Sequence, residues 1–219
     1  RGEEDAAAAA VAAAGGVRPL SVVNEKYGFR VVVPPQWRVS DRQPANAPTD
    51  PYTRADLVLV GQNIPEGCSM SVTVTNARKL IKEATTLTPA RNRLLTMEDF
   101  GPPDTLGQLL ARQRDGDLLT AGIFGGVSTI VDAAKDPEMD NVVRFATLAL
   151  VKPQDYGASI RKDFQNENIP VAKLQRKTVS KTILRGEYLY TVWVSALEDK
   201  FSTPTGQSLE ELRDSFELI

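Results

Sequence analysis

The side chains able to do chemistry are few, and one type is missing altogether: the 219 residues contain no histidine. Without an imidazole there can be no Ser-His-Asp or Cys-His nucleophile system. Zinc sites built on histidine are excluded, and a pH switch near neutrality loses its usual residue. The one cysteine, Cys68, has no partner for an intrachain disulfide. Its sequence neighbours Glu66, Gly67, Ser69 and Met70 supply no positive charge to activate a thiol, so it reads as a small, half-buried residue. Asp132, Asp136, Glu138 and Asp140 crowd a turn and are weak candidates for a cation. A calcium loop needs regular ligand spacing around a central glycine, which this turn lacks, and a solvated turn is the plainer reading. Gly122, Gly125 and Gly126 are spaced loosely like a phosphate loop, but no Lys-Ser/Thr pair follows. No spacing sets two carboxylates on one helix face beside a nucleophile. The expectation is a protein without catalytic residues, metal or other cofactor.

Positive charge is more concentrated. Lys173, Arg176, Lys177, Lys181 and Arg185 occur with no acid among them. Either they guard a solvated strand edge, or they form a docking face for an acidic partner. In a strand, Lys173, Lys177, Lys181 and Arg185 share one parity and Arg176 falls on the other. A second basic segment holds Arg78, Lys79 and Lys82, with Arg91 and Arg93 beyond. The acidic triplet Glu3, Glu4 and Asp5 is a further candidate contact. Nucleic acid is not expected, because aromatic residues are not interleaved with the basic ones, and the formal net charge is only −2.

These side chains need a scaffold, and the remaining sequence describes one. The apolar and charged fractions are ordinary for a globular domain, and the length suits one domain that folds without staples. No stretch approaches the roughly 20 apolar residues of a spanning helix. The chain begins without Met, which is expected of a processed or trimmed form. Residues 1–19 read as a tail that orders only against a partner or as a leftover flexible end; residues 20–219 read as the domain.

The domain reads mostly as strands. Tyr27 to Val33 is β-branched and aromatic and stops at Pro34-Pro35. Leu57 to Val60 is a buried strand. Met70 to Thr75 alternates, with Met70, Val72 and Val74 inward and hydroxyls outward. Residues 76–100 read as a basic loop with at most one helical turn. Thr105 and Gln108 have capping-box spacing, Leu106, Leu109 and Leu110 share a face, and Gly116 marks a stop, giving a helix over 105–115. Strands follow over 128–133, 141–151, 173–184 and 188–197. The last has apolar residues on both faces, as a central covered strand should, and Trp193 should be buried in it. Ser208 and Glu211 repeat the capping spacing for a helix over 208–216. The sum is an α+β domain with a central antiparallel sheet sandwiched by helices.

Four local patterns then fall in one order. They are Gly28-Phe29 with Pro34 and Trp37, the Val-rich strand Met70 to Thr75, Phe100-Gly101-Pro102-Pro103-Asp104-Thr105-Leu106, and the ending Leu212-Arg213-Asp214-Ser215-Phe216. Together they resemble the PsbP family, whose fold is shared by Mog1. The resemblance implies a non-catalytic extrinsic subunit, peripheral to the thylakoid membrane on its lumenal side. It implies photosystem core subunits as partners, on the oxygen-evolving side of photosystem II or on photosystem I. Members help retain calcium and chloride at the manganese cluster, and others assist assembly. An assembly factor or a small-ligand-binding lumenal protein is the alternative reading. The departures from the family pattern are the basic segment at 76–99 and the absence of histidine.

Overall fold

A computed structural model of the chain describes residues 18–41, 56–84, 93–120, 127–150 and 175–219. Residues 1–17 of the expected tail, with Glu3, Glu4 and Asp5, and also Arg91, Lys173 and the glycines at 122, 125 and 126, lie outside the described residues. The main sheet has seven strands: β3 (Arg38–Asp41), β4 (Asp56–Asn63), β5 (Cys68–Asn76), β6 (Thr129–Lys135), β7 (Val142–Leu150), β8 (Gln175–Arg185) and β9 (Tyr188–Leu197). Their order is β3-β4-β5-β9-β8-β7-β6, and every pairing is antiparallel.

Both faces are covered, so the expected sandwich is present. On one face, Met70, Val72 and Val74 of β5, Val192 and Val194 of β9 and Val179 and Ile183 of β8 pack against Leu209 and Leu212. Those leucines belong to the final helix, α3 (Pro204–Asp214), which covers this valine face. On the other, Phe145, Leu184, Leu189 and Trp193 pack against two helices, α1 (Ala77–Ala84) and α2 (Pro103–Thr120). Trp193 is buried in β9, in the middle of the strand order, as the two-sided pattern requires.

Several local expectations need correction. The segment after β5 is not a loop. Asn76 accepts the Lys79 N–H at 3.0 Å and so caps α1, and Ala77, Leu80 and Ile81 bury one face at helical spacing. The basic residues alongside obscure that stripe in the sequence. Helix α2 starts at Pro103, ahead of Thr105, and runs through Gly116 to Thr120. The final helix, α3 (Pro204–Asp214), starts behind Thr203 with proline in its first turn, ahead of Ser208, and ends before Phe216.

A second, three-stranded sheet joins β1 (Leu20–Asn24), β2 (Phe29–Val33) and β10 (Glu217–Leu218) in the order β1-β2-β10. Two sheets therefore replace the single one expected. The β1–β2 turn needs Gly28 at φ +67, and a Cβ there would lie 3.4 Å from the Ile219 carbonyl oxygen.

Two glycines inside helices should respond oppositely to alanine. A Cβ at Gly206 would stand 2.4 Å from the Phe201 carbonyl oxygen and 2.5 Å from its Cα, so backbone must move. Among the described residues, a Cβ at Gly116 would meet nothing within 4 Å. Urea unfolding should show Gly206→Ala losing about 1–3 kcal/mol through overpacking. Gly116→Ala should gain about 0.5–1 kcal/mol through helix propensity. Equal responses would contradict the packing of α3 against the turn before it.

Candidate functional site

The expected basic strand does not present one docking face. On β8, Lys177 and Lys181 alternate with the buried Val179 and Ile183, so their side belongs to the valine core. Lys181 is 5% exposed and donates from Nζ to the carbonyl oxygens of Phe216 (2.7 Å) and Asp214 (3.0 Å). It is therefore removed from the docking surface. Burial, with Arg144 beside it, pushes the Lys181 ammonium pKa down. Lys177 lies with its ammonium 4.9 Å from the Phe201 ring centroid.

Arg185 is exposed at the opposite end of the strand and donates to the Ile219 carbonyl oxygen at 2.8 Å. That end also receives α1, because Asn76 pairs with Tyr188, which pairs with Arg185. Arg78 bonds Glu187 at 2.6 Å and donates to the Arg93 carbonyl oxygen at 2.7 Å. Arg185 and the exposed Tyr188 thus lie at the end of the sheet where α1, carrying Arg78, Lys79 and Lys82, begins, while Lys177 lies at the other end.

The acidic turn is also committed elsewhere. Asp136 accepts the N–H groups of Glu138 (2.9 Å) and Met139 (3.2 Å) and pairs with Arg144. Its carboxyl sits below the usual range chiefly because of the Glu138 N–H, with Arg144 adding to the effect against burial. Asp132, Glu138 and Asp140 are exposed. Among the described residues, no three His, Cys, Asp or Glu side chains converge in a way that could hold a metal ion. Arg144 also reaches Asp214 at 3.1 Å. Burial works to raise the Asp214 carboxyl, but Arg213 and Arg144 outweigh it and hold it low.

The richest polar arrangement lies on the helix-covered face opposite the valine core, and sequence reading did not find it. The ladder sets Ser69, Ser195, Thr178 and Thr147 side by side across β5, β9, β8 and β7. Arg176, on the opposite parity from Lys177, donates from Nε to Ser195 Oγ at 2.7 Å. Its Nη2 reaches Ser69 Oγ and the Gly67 carbonyl oxygen, both at 3.1 Å. Thr178 Oγ1 bonds the same Ser195 Oγ at 3.1 Å.

From α2, Arg114 lays its guanidinium over Trp193, 4.5 Å from the ring centroid. It bonds Asp115 Oδ1 at 3.1 Å and Ser128 Oγ at 2.9 Å. Asp115 also takes the Ser128 N–H at 2.7 Å. Burial pushes the Arg114 pKa down and Asp115 works the other way; Arg176 is near enough to add to the lowering. Cys68, close by, is buried, and its thiol is pushed up by burial and then by Glu66, against Arg176 and Lys200. It is no reactive thiolate. The sequence signal available for this site was the run of Ser and Thr at alternate positions of β5, β8 and β9, of which only those of β5 were read, as outward-facing.

No family model matches the chain, and no curated protein matches it. Among solved structures it is similar to the cyanobacterial PsbP (CyanoP) of Synechocystis sp., at 13% identity and a TM-score of 0.54, over 93% of this chain and 95% of that one. The Ran-binding protein Mog1p of Saccharomyces cerevisiae is similar at 9% identity and a TM-score of 0.43, over 93% of this chain and 96% of that one. The fold is PsbP-like. Among the described residues, no helix is long and apolar enough to cross a membrane.

The Arg144 pairs give a pH-dependent prediction. Both aspartates have native pKa values below the ordinary aspartate value of about 3.9. Their contribution to stability is present above that value and lost as pH falls through the depressed native values. Arg144→Met should therefore lower the urea midpoint at pH 7, and its gap from the native protein should shrink as pH falls below about 3.9. A gap that stays constant into acid would show that Arg144 acts by packing alone.

Proposed function

We propose that this protein is a non-catalytic extrinsic subunit that binds the lumenal side of a photosystem, peripheral to the thylakoid membrane. The observation that carries the reading is the fold likeness to the cyanobacterial PsbP across nearly the whole of both chains. The ordered sequence patterns at Gly28-Phe29, Phe100 to Leu106 and Asp214-Ser215-Phe216 support it. The absence of histidine removes the imidazole-based reaction classes, in keeping with a binding role. The partners proposed are lumenal surfaces of photosystem core subunits, in photosystem II or photosystem I.

The docking end proposed is the one where Tyr188 and Arg185 lie and where α1, with Lys79 and Lys82, begins. Tyrosine beside basic side chains is a composition common at interfaces, and the charges set salt sensitivity and association rate. After mild detergent solubilisation and gradient separation, the chain should travel with one photosystem. Recovery only among free proteins would reject the reading. Exposed charges are screened within about 8–10 Å at physiological salt. Lys82→Glu with Arg185→Glu should therefore release the chain at lower salt than the native protein, while Lys177→Glu should release it at the native salt. An unmoved release profile in the double variant would shift docking to another surface.

A further inference from the structure

We propose that the polar layer between the second half of α2 and the sheet, centred on Arg114, Thr147 and Ser180, is a binding site for an oxyanion, either a phosphoryl group or a carboxylate. The site is independent of the photosystem reading and would exist in the isolated protein.

The starting observation is an imbalance of hydrogen bonds. Ser180 Oγ, Thr147 Oγ1 and Gln113 Oε1 are buried and make no hydrogen bond to a described residue. Ser180 is 0% and Thr147 1% exposed. Buried polar atoms are nearly always paired, and each one left alone costs about 1–3 kcal/mol. Ser180 and Thr147 share one face of the sheet. Ser180 lies in register between Phe145 and Trp193, whose rings meet at 5.4 Å. Thr147 is on the same face of β7, two residues past Phe145 and opposite Thr178. Gln113 precedes Arg114, whose guanidinium covers Trp193.

Charge chooses the kind of partner. Two guanidinium groups, Arg114 and Arg176, approach this region, and the buried carboxylate beside them is Asp115 alone among the described residues. That carboxylate is already occupied by Arg114, the Ser128 N–H and the Ser128 hydroxyl. Arg114 uses Nε and Nη2 in these bonds, and its Nη1 makes none to a described residue. The unpaired hydroxyls of Ser180 and Thr147 can each turn a proton outward, and the Gln113 amide can present its N–H₂ by a flip. Donors around a guanidinium, in a region of reduced dielectric, favour an anion with several acceptor oxygens. Arg114 against Trp193 also gives the site an optical reporter.

The test uses the full chain with Trp37→Phe, which leaves Trp193 as the only tryptophan. Sodium phosphate and sodium acetate are titrated separately at constant ionic strength against chloride, and Trp193 emission is followed. A saturable change with at least one of them is expected. Preference for phosphate assigns a phosphoryl ligand, and preference for acetate a carboxylate. Thr147→Val removes one donor and keeps the shape. It should weaken the apparent affinity about tenfold, the effect of one hydrogen bond to a charged group, without lowering the thermal midpoint in chloride. Arg114→Gln should abolish the saturable change; should it fail to fold, Thr147→Val still decides. No saturable response to either anion, or an unchanged affinity in Thr147→Val, would assign the unpaired atoms to buried water and overturn the proposal.

Discussion

The buried ammonium of Lys181 is the interaction on which the two-sheet arrangement depends. An α-helix ends with carbonyl oxygens that have no partner within it, and its C-terminus carries partial negative charge. Lys181 supplies a cation there from the middle of the main sheet, bonding Asp214 and Phe216 at the end of α3. With those two carbonyls fixed, the chain can only leave α3 in one direction. Phe216 drops fully into the core against Phe29, at a ring separation of 5.6 Å. Ser215 Oγ takes the Val32 N–H at 2.9 Å, and β10 then pairs with β2. The small sheet is thus held to the large one by a lysine that belongs to neither β2 nor β10. Burying such a charge is costly unless it is fully bonded. The neighbouring Asp214 and Asp136 favour the charge, while Arg144 and Arg213, paired with those aspartates, oppose it.

The strand pattern, the two-sided character of β9 and the presence of the α2 and α3 helices were legible in the sequence because each rests on local spacing. Val72 and Val74 alternate with hydroxyls, and Trp193 sits among apolar residues of both parities. The helix starts were misread for a local reason too. Thr105–Gln108 and Ser208–Glu211 have the spacing of a capping box, but prolines at 103 and 204 already begin those helices, two and four residues earlier. Helix α1 was hidden because three basic residues dilute an apolar stripe of only Ala77, Leu80 and Ile81.

The charged positions were not legible, and the reason is long-range. Parity along β8 was read correctly: Lys177, Lys181 and Arg185 do share a side. Parity cannot say what covers that side. The cover over Lys181 comes from residues more than thirty positions later, and it supplies bare carbonyls that a lysine can satisfy. Arg176, on the other parity, donates to Ser195, Ser69 and the Gly67 carbonyl oxygen.

The hydroxyl residues repeat that lesson from the other face. Serine and threonine at alternate strand positions fit a solvated sheet surface, and in a sheet open on one side they would face water. Here helices lie over them. Being covered, the hydroxyls must bond one another: Thr182 with Thr191 at 3.0 Å, Thr178 with Ser195 at 3.1 Å, and Thr73 with the Trp193 indole N–H at 2.9 Å. Such pairs let a layer be polar and buried together, and they bring guanidinium groups to a depth the valine face could not accept. The same sheet therefore has one side organised by apolar packing around a single satisfied lysine. Its other side is organised by hydrogen bonds, and that network remains incomplete at Thr147 and Ser180. An apolar face gains nothing specific from a polar ligand, whereas an incomplete hydrogen-bond network can be completed by one. Selective recognition of a small polar group by this fold therefore belongs on the hydroxyl side, away from the end where Lys82 and Arg185 meet solvent.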